Sequence, residues 1–282
     1  MQAKLWEKTF TGIFWLAGAI VFFILLGFLG HILYNGLPVI SWQFLTTKSS
    51  ELSAGGGIAG QLFNSFYILA ISMAIALPLA VGAGIYMALY APNNGFTYML
   101  RLSIESLASI PSIVLGLFGM IIFVNFFDLG FSILAGGLTM MLLNLPMLVR
   151  VTEEAINTVP KSYYEASVAL GATKWESIWK VILPSALPNI LTGVTLTAGR
   201  ALGETAILIF TAGTSVSRHI GDLDPFAGGG TLAVHMWYTT TTSLIPDKAA
   251  VANGSAALLI LIILLLNLGL LIPKKMLQTK TK

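Results

Sequence analysis

Between Val251 and Ile272 the chain carries no charged residue, and its second half there is almost wholly Leu and Ile. A run of that length is long enough to cross a bilayer. In hydrocarbon every backbone amide must be satisfied within the protein, which leaves a helix or a closed barrel. Five further apolar runs fall at about Thr11–Leu33, Leu62–Leu89, Leu107–Phe127, Ser132–Val151 and Leu187–Phe210. Each is too long for a barrel strand, so the expected fold is an all-α integral membrane protein with six transmembrane helices. Composition agrees: of 282 residues 56% are hydrophobic and 10% charged, where a soluble domain carries about 25% charged residues.

The first run exceeds the apolar core of a signal peptide and lacks a convincing cleavage site, so it reads as an uncleaved span. Pro78 lies inside the second, where neighbouring groups can re-satisfy the freed carbonyl. Ala91–Gly95 and Asp128–Gly130 are turn signals. Residues 35–60, with three successive glycines at 55–57, and residues 211–250 read as polar connecting segments. There is no internal repeat and no sign of discontinuous helices. The division expected is 1–60, a first span with its loop, and 61–273, the main membrane unit.

With six spans both termini lie on one side. Lys48, Arg218 and Lys248 fall on the other side and Arg200 within the membrane, while all remaining Lys and Arg collect with the termini. The positive-inside rule then puts both termini in the cytoplasm. The net charge of +3 reflects this asymmetry and does not suggest a nucleic-acid partner. The absence of cysteine excludes a thiolate metal site, and His31, His219 and His235 lack ligand spacing.

One long polar stretch, Glu165–Pro184, interrupts the spans on the cytoplasmic side. Ser162 with Glu165, and Thr173 with Glu176, have the spacing of capping boxes. Gly171 between them suits a left-handed helix stop. Trp175, Ile178, Trp179 and Ile182 fall on one helical face, and Pro184 breaks that helix or opens the next. Two short amphipathic helices joined at a glycine corner are expected.

The fifth span holds Gly199-Arg200-Ala201-Leu202-Gly203-Glu204. In a continuous helix Arg200 and Glu204 share a face, one turn apart. Each charge costs about 2.5–3.5 kcal/mol near a helix centre, and the apolar residues of the span return about 3–6 kcal/mol in total. The span is close to break-even alone and needs partners or water on that face. Thr195, Gly199 and Gly203 place a small residue every fourth position, which admits a neighbouring helix. Physics alone leaves two readings open: a structural ion pair, or a path in which Arg200 meets an anion.

The spacing of Glu165, Ala166, Ser167, Gly171, Leu183 and Pro184 resembles the cytoplasmic loop of permease subunits of ATP-binding-cassette importers, departing at Ser167 and Val181. GRALGETA (199–206) and SIPSIVLGLFG (109–119) are similar to segments of the phosphate-type permeases. Of the two paired permeases in such importers, the A-type is resembled more than the C-type. The resemblance implies a type I importer (MetI-like) core with a coupling-helix loop, over a type-1 permease unit at 61–273. It implies Glu165, Ala166, Ser167, Gly171, Leu183 and Pro184 as the loop that contacts an ATPase, and Arg200 and Glu204 on the substrate path. It also implies a sister permease subunit, two copies of a cytoplasmic ATP-binding subunit and an extracytoplasmic phosphate-binding protein, in the lipid of the cytoplasmic membrane.

No phosphate-binding loop for ATP, HExxH or GxSxG occurs in the sequence, so no cofactor and no catalysis are expected of this chain. Three alternatives remain at this level: an importer of another oxyanion (sulfate, molybdate, phosphonate), an ion-coupled secondary transporter, and an assembly protein. The second usually shows two related halves and discontinuous helices, and the last has no need of a charged pair and a capped loop together.

Overall fold

A computed structural model describes residues 2–50, 53–215 and 219–280. Arg218 and Lys282, both used in the charge asymmetry, lie outside the described residues. Twelve α-helices follow in order among the described residues: α1 Gln2–Gly36, α2 Trp42–Thr46, α3 Ala59–Ile85, α4 Gly95–Ser109, α5 Ser112–Gly119, α6 Ile133–Asn157, α7 Lys161–Ala169, α8 Lys174–Ser177, α9 Leu183–Leu202, α10 Ala206–Thr211, α11 Leu232–Thr241 and α12 Lys248–Lys280. Wide π-helical turns extend α3 (Tyr86–Tyr90) and α5 (Met120–Phe126), and a third joins α8 to α9 (Ile178–Ile182).

Five segments are long and apolar enough to cross a membrane: Trp6–Val39, Ala59–Tyr90, Ile133–Asn157, Lys174–Leu202 and Lys248–Gly269. A bent pair, α4 with α5 and its π-helical extension, turned by 96°, brings the number to six when it is counted as one span. The third span is therefore not the straight Leu107–Phe127 helix expected. Pro111 has no N–H to give and drives Ile110 out of the helical region (φ −65°, ψ 128°), so the ladder stops there.

The fifth span departs at both ends. Its helix starts in the polar stretch at Lys174 and stops at Leu202, and α10 continues separately after Gly203–Thr205. A discontinuous span is thus present where sequence patterning gave no sign of one. The 211–250 segment, expected as a loop, contains α11, whose Thr231 side chain accepts from the Val234 amide and caps its start.

The main core lies where α3, α5, α6, α9 and α10 meet, around Ile68, Ala76, Leu115, Met140, Leu148, Ala198 and Ile207. A second cluster, Ile85, Ile156, Ile178, Ile182 and Ile190, ties α3, α6, α8 and α9 together beside α7. A third, Phe44, Ile58, Leu232, Ile245 and Val251, closes the opposite end. Arg101, Arg150, Lys174 and Lys180 gather at the α7–α8 end, Lys48 and Lys248 at the other. α1 packs along α12 and otherwise presents apolar side chains outward, the face a span turns to lipid.

Candidate coupling loop and substrate path

The corner at Gly171 forms as its spacing suggests. Gly171 has φ +88°, its amide donates to the Val168 carbonyl (2.9 Å), and the Ala172 amide donates to the Ser167 carbonyl (3.1 Å). That crossed pair is a Schellman stop, which needs a left-handed residue. Thr173 and Glu176 make the complete capping box at the start of α8. The box expected at Ser162 and Glu165 does not form. α7 begins at Lys161 with Pro160 as its N-cap, leaving Ser162 inside the first turn and no side-chain cap.

Ser167 is buried and its hydroxyl lies 2.7 Å from the Ser177 hydroxyl, which donates to the Thr173 carbonyl. The position that departs from the family spacing therefore fastens α7 to α8. Glu165 and Ala166 are exposed on the outward side of α7. Leu183 packs into the cluster around Ile178 and Ile182, and Pro184 sits exposed at the second position of α9. The π-helical turn immediately precedes Pro184; there the Leu183 amide reaches back to the Ile178 carbonyl.

That wide turn shifts the helical phase, so the four-residue face expected for α8 divides. Ile178 and Ile182 are buried, while Trp175 and Trp179 are 61% and 45% exposed with their rings 5.3 Å apart. Leu170, 90% exposed at the corner, adds a third exposed apolar side chain to this segment. From Lys174 to Leu202 is 29 residues, about 43 Å of helix against a core of about 30 Å.

Sequence reasoning missed the fastening of this loop to α3. The Lys174 ammonium donates to the Leu89 carbonyl at 2.8 Å and sits 3.9 Å from the Tyr90 ring centroid. No sequence signal joins residues so far apart.

Arg200 and Glu204 do not form the i, i+4 pair expected, because the helix ends at Leu202. The Gly203 amide turns back to the Arg200 carbonyl and the Glu204 amide to the Ala201 carbonyl, both at 3.2 Å. No ion pair joins the two side chains among the described residues; Arg200 is exposed and Glu204 half-buried. Each charge instead complements a helix end: Arg200 lies in the last turn of α9, Glu204 just ahead of α10.

Of the small-residue series, Thr195 is buried and Gly199 faces Ile263 and Asn267 of α12 at ordinary contact distance, but Gly203 lies beyond the helix. The close approach is at Gly193, outside that series, where a Cβ would overlap the Val151 side chain of α6.

Comparison with known proteins matches residues 80–282 to the family described as "Binding-protein-dependent transport system inner membrane component". The chain is 48% identical over 257 residues (88% of this chain, 87% of the other) to the probable ABC transporter permease protein YqgI of Bacillus subtilis. It is 34% identical over 211 residues (73% and 74%) to the phosphate transport system permease protein PstA of Haemophilus influenzae. Among solved structures, the inward-facing MetNI methionine ABC transporter matches with a TM-score of 0.61 at 21% identity (78% of this chain, 94% of that one). An ABC transporter for import of the acidic polysaccharide alginate matches at 0.61 and 15% (99% and 100%). At those identities they bear on the fold, a MetI-like permease core. This chain therefore belongs to the inner-membrane components of binding-protein-dependent ABC importers, as a multi-pass permease.

Proposed function

We propose that this permease forms half of a translocation path for inorganic phosphate. Its sister permease subunit supplies the other half, two copies of an ATP-binding subunit drive it, and an extracytoplasmic phosphate-binding protein loads it. Both termini and the α7–α8 loop lie in the cytoplasm. In this reading the exposed Leu170, Trp175 and Trp179, with the exposed Glu165 and Ala166, meet the ATP-binding subunit, and Ser167, Gly171, Leu183 and Pro184 hold that surface in shape.

The observation that carries the cargo assignment is the exposed Arg200 at a break inside a span, with its nearest acid in sequence set at a different helix end. Arg200 makes no ion pair among the described residues, and an unpaired guanidinium at membrane depth is costly unless a path surrounds it. Its planar fork can hold two oxygens of an anion and stays charged. Glu204, near in sequence and available as a competing partner, keeps the anion from being trapped, as a conduit requires. Similarity to phosphate permeases supports the choice among oxyanions.

Uptake by the reconstituted complex tests it. Radiolabelled phosphate should accumulate in vesicles supplied with ATP, and excess sulfate or molybdate should not compete. Uptake of sulfate or molybdate in place of phosphate would overturn the cargo.

A further inference from the structure

α4 buries a single residue, Thr97, and its Phe96, Tyr98, Met99 and Leu102 are exposed. On its other side a cavity of about 320 Å³ separates it from the last turns of α6. Five charged residues line that gap: Arg101 and Glu105 from α4, and Arg150, Glu153 and Glu154 from α6. One ion pair crosses it, Arg101 Nη2 to Glu153 Oε1 at 2.7 Å. Arg150 pairs along its own helix with Glu154 at 3.0 Å, and Glu105 has no ion pair among the described residues.

The spacing of the five is informative. Parting α4 from α6 would strand the Glu153 carboxylate, only 15% exposed, and an unpaired half-buried charge resists that motion. Both members of the crossing pair nevertheless have an opposite charge on their own helix. Arg101 and Glu105 are i, i+4, and Arg150 stands three residues before Glu153 and four before Glu154. Arg101 can pass to Glu105, and Glu153 can share Arg150 with Glu154, so neither member of the crossing pair is left alone.

α4 also ends at the Ile110–Pro111 joint, where the ladder is interrupted and the chain turns by 96°. Its other end follows Leu89 and Tyr90, the residues that Lys174 of the coupling loop holds. A displacement of that loop thus reaches α4 through this non-covalent contact and the four residues that follow Tyr90.

We propose that Arg101–Glu153 is a switchable latch at the cytoplasmic mouth of the path. It holds α4 against α6 in one state; when α4 swings about the Ile110–Pro111 joint, Arg101 passes to Glu105 and Glu153 to Arg150. This rests on the reading of the chain as half of an ATP-driven path.

The chain has no cysteine, so Arg101→Cys with Glu153→Cys places two unique thiols across the gap. In the assembled complex, bridging them with a short reducible bifunctional reagent should drop uptake to background, and reduction should restore it. Glu105→Gln keeps the crossing pair but removes the alternate partner of Arg101; uptake should slow by about twofold with assembly unchanged. A bridged complex that transports at the unbridged rate, or Glu105→Gln indistinguishable from the parent, would make the pair a fixed brace and overturn the latch. If the unbridged complex carries sulfate or molybdate instead, the phosphate reading fails and the latch is scored on that ion.

Discussion

Gly171 is legible from the sequence alone, because a helix stop flanked by cap residues leaves few conformations to choose among. Its φ of +88° makes Gly171→Val cost about 1–2 kcal/mol locally, although a Cβ there meets no neighbour. The variant should insert and fold yet copurify poorly with the ATP-binding subunit; normal copurification and uptake would refute the corner's role. Ser162 misleads because a capping box competes with other N-caps, and Pro160 pre-sets the helical entry two residues earlier. His235 is legible only as a residue without ligand spacing. It is largely buried in α11 beside Gln61 of α3 (3.4 Å), and burial lowers its pKa from the ordinary 6.5 to about 4. With its folded value below its unfolded one, its contribution to stability is complete above about pH 6.5 and is lost as pH falls toward about 4. Thermal stability in detergent should therefore fall more steeply over that window for the parent than for His235→Gln; equal slopes would contradict this.

At the scale of elements, periodicity locates every span but not where spans break. Hydropathy is blind to the 96° turn at Pro111, since both arms are apolar enough to be read as one. It is equally blind to the stop at Leu202, because Ala206–Thr211 resumes the apolar pattern at once. The expected Arg200–Glu204 pair presupposes an unbroken helix, and the error follows from that single assumption. The π-helical turn at Ile178–Ile182 has no sequence signature beyond the proline after it, yet it turns Trp175 and Trp179 outward. Cysteines at Glu165 or Ala166 should crosslink to the ATP-binding subunit in the assembled complex. Crosslinks confined to the 91–94 turn would move the coupling contact away from α7.

For the whole molecule, the apolar segments and the polar loop between them can be read from the chain, because a bilayer constrains length and polarity so tightly. Contacts between distant segments cannot: Lys174 with Tyr90, Arg101 with Glu153 and Gly193 with Val151 depend on packing that no local pattern encodes. The central claim is that Arg200 meets the transported anion, and phosphate uptake by the Arg200→Gln, Glu204→Gln double variant in the reconstituted complex tests it most directly. If Arg200 contacts the anion, the double variant assembles with its partners but its uptake stays at background. If the two residues serve only to balance each other within the bilayer, removing both charges together leaves assembly and uptake at the parent level, and the account is contradicted.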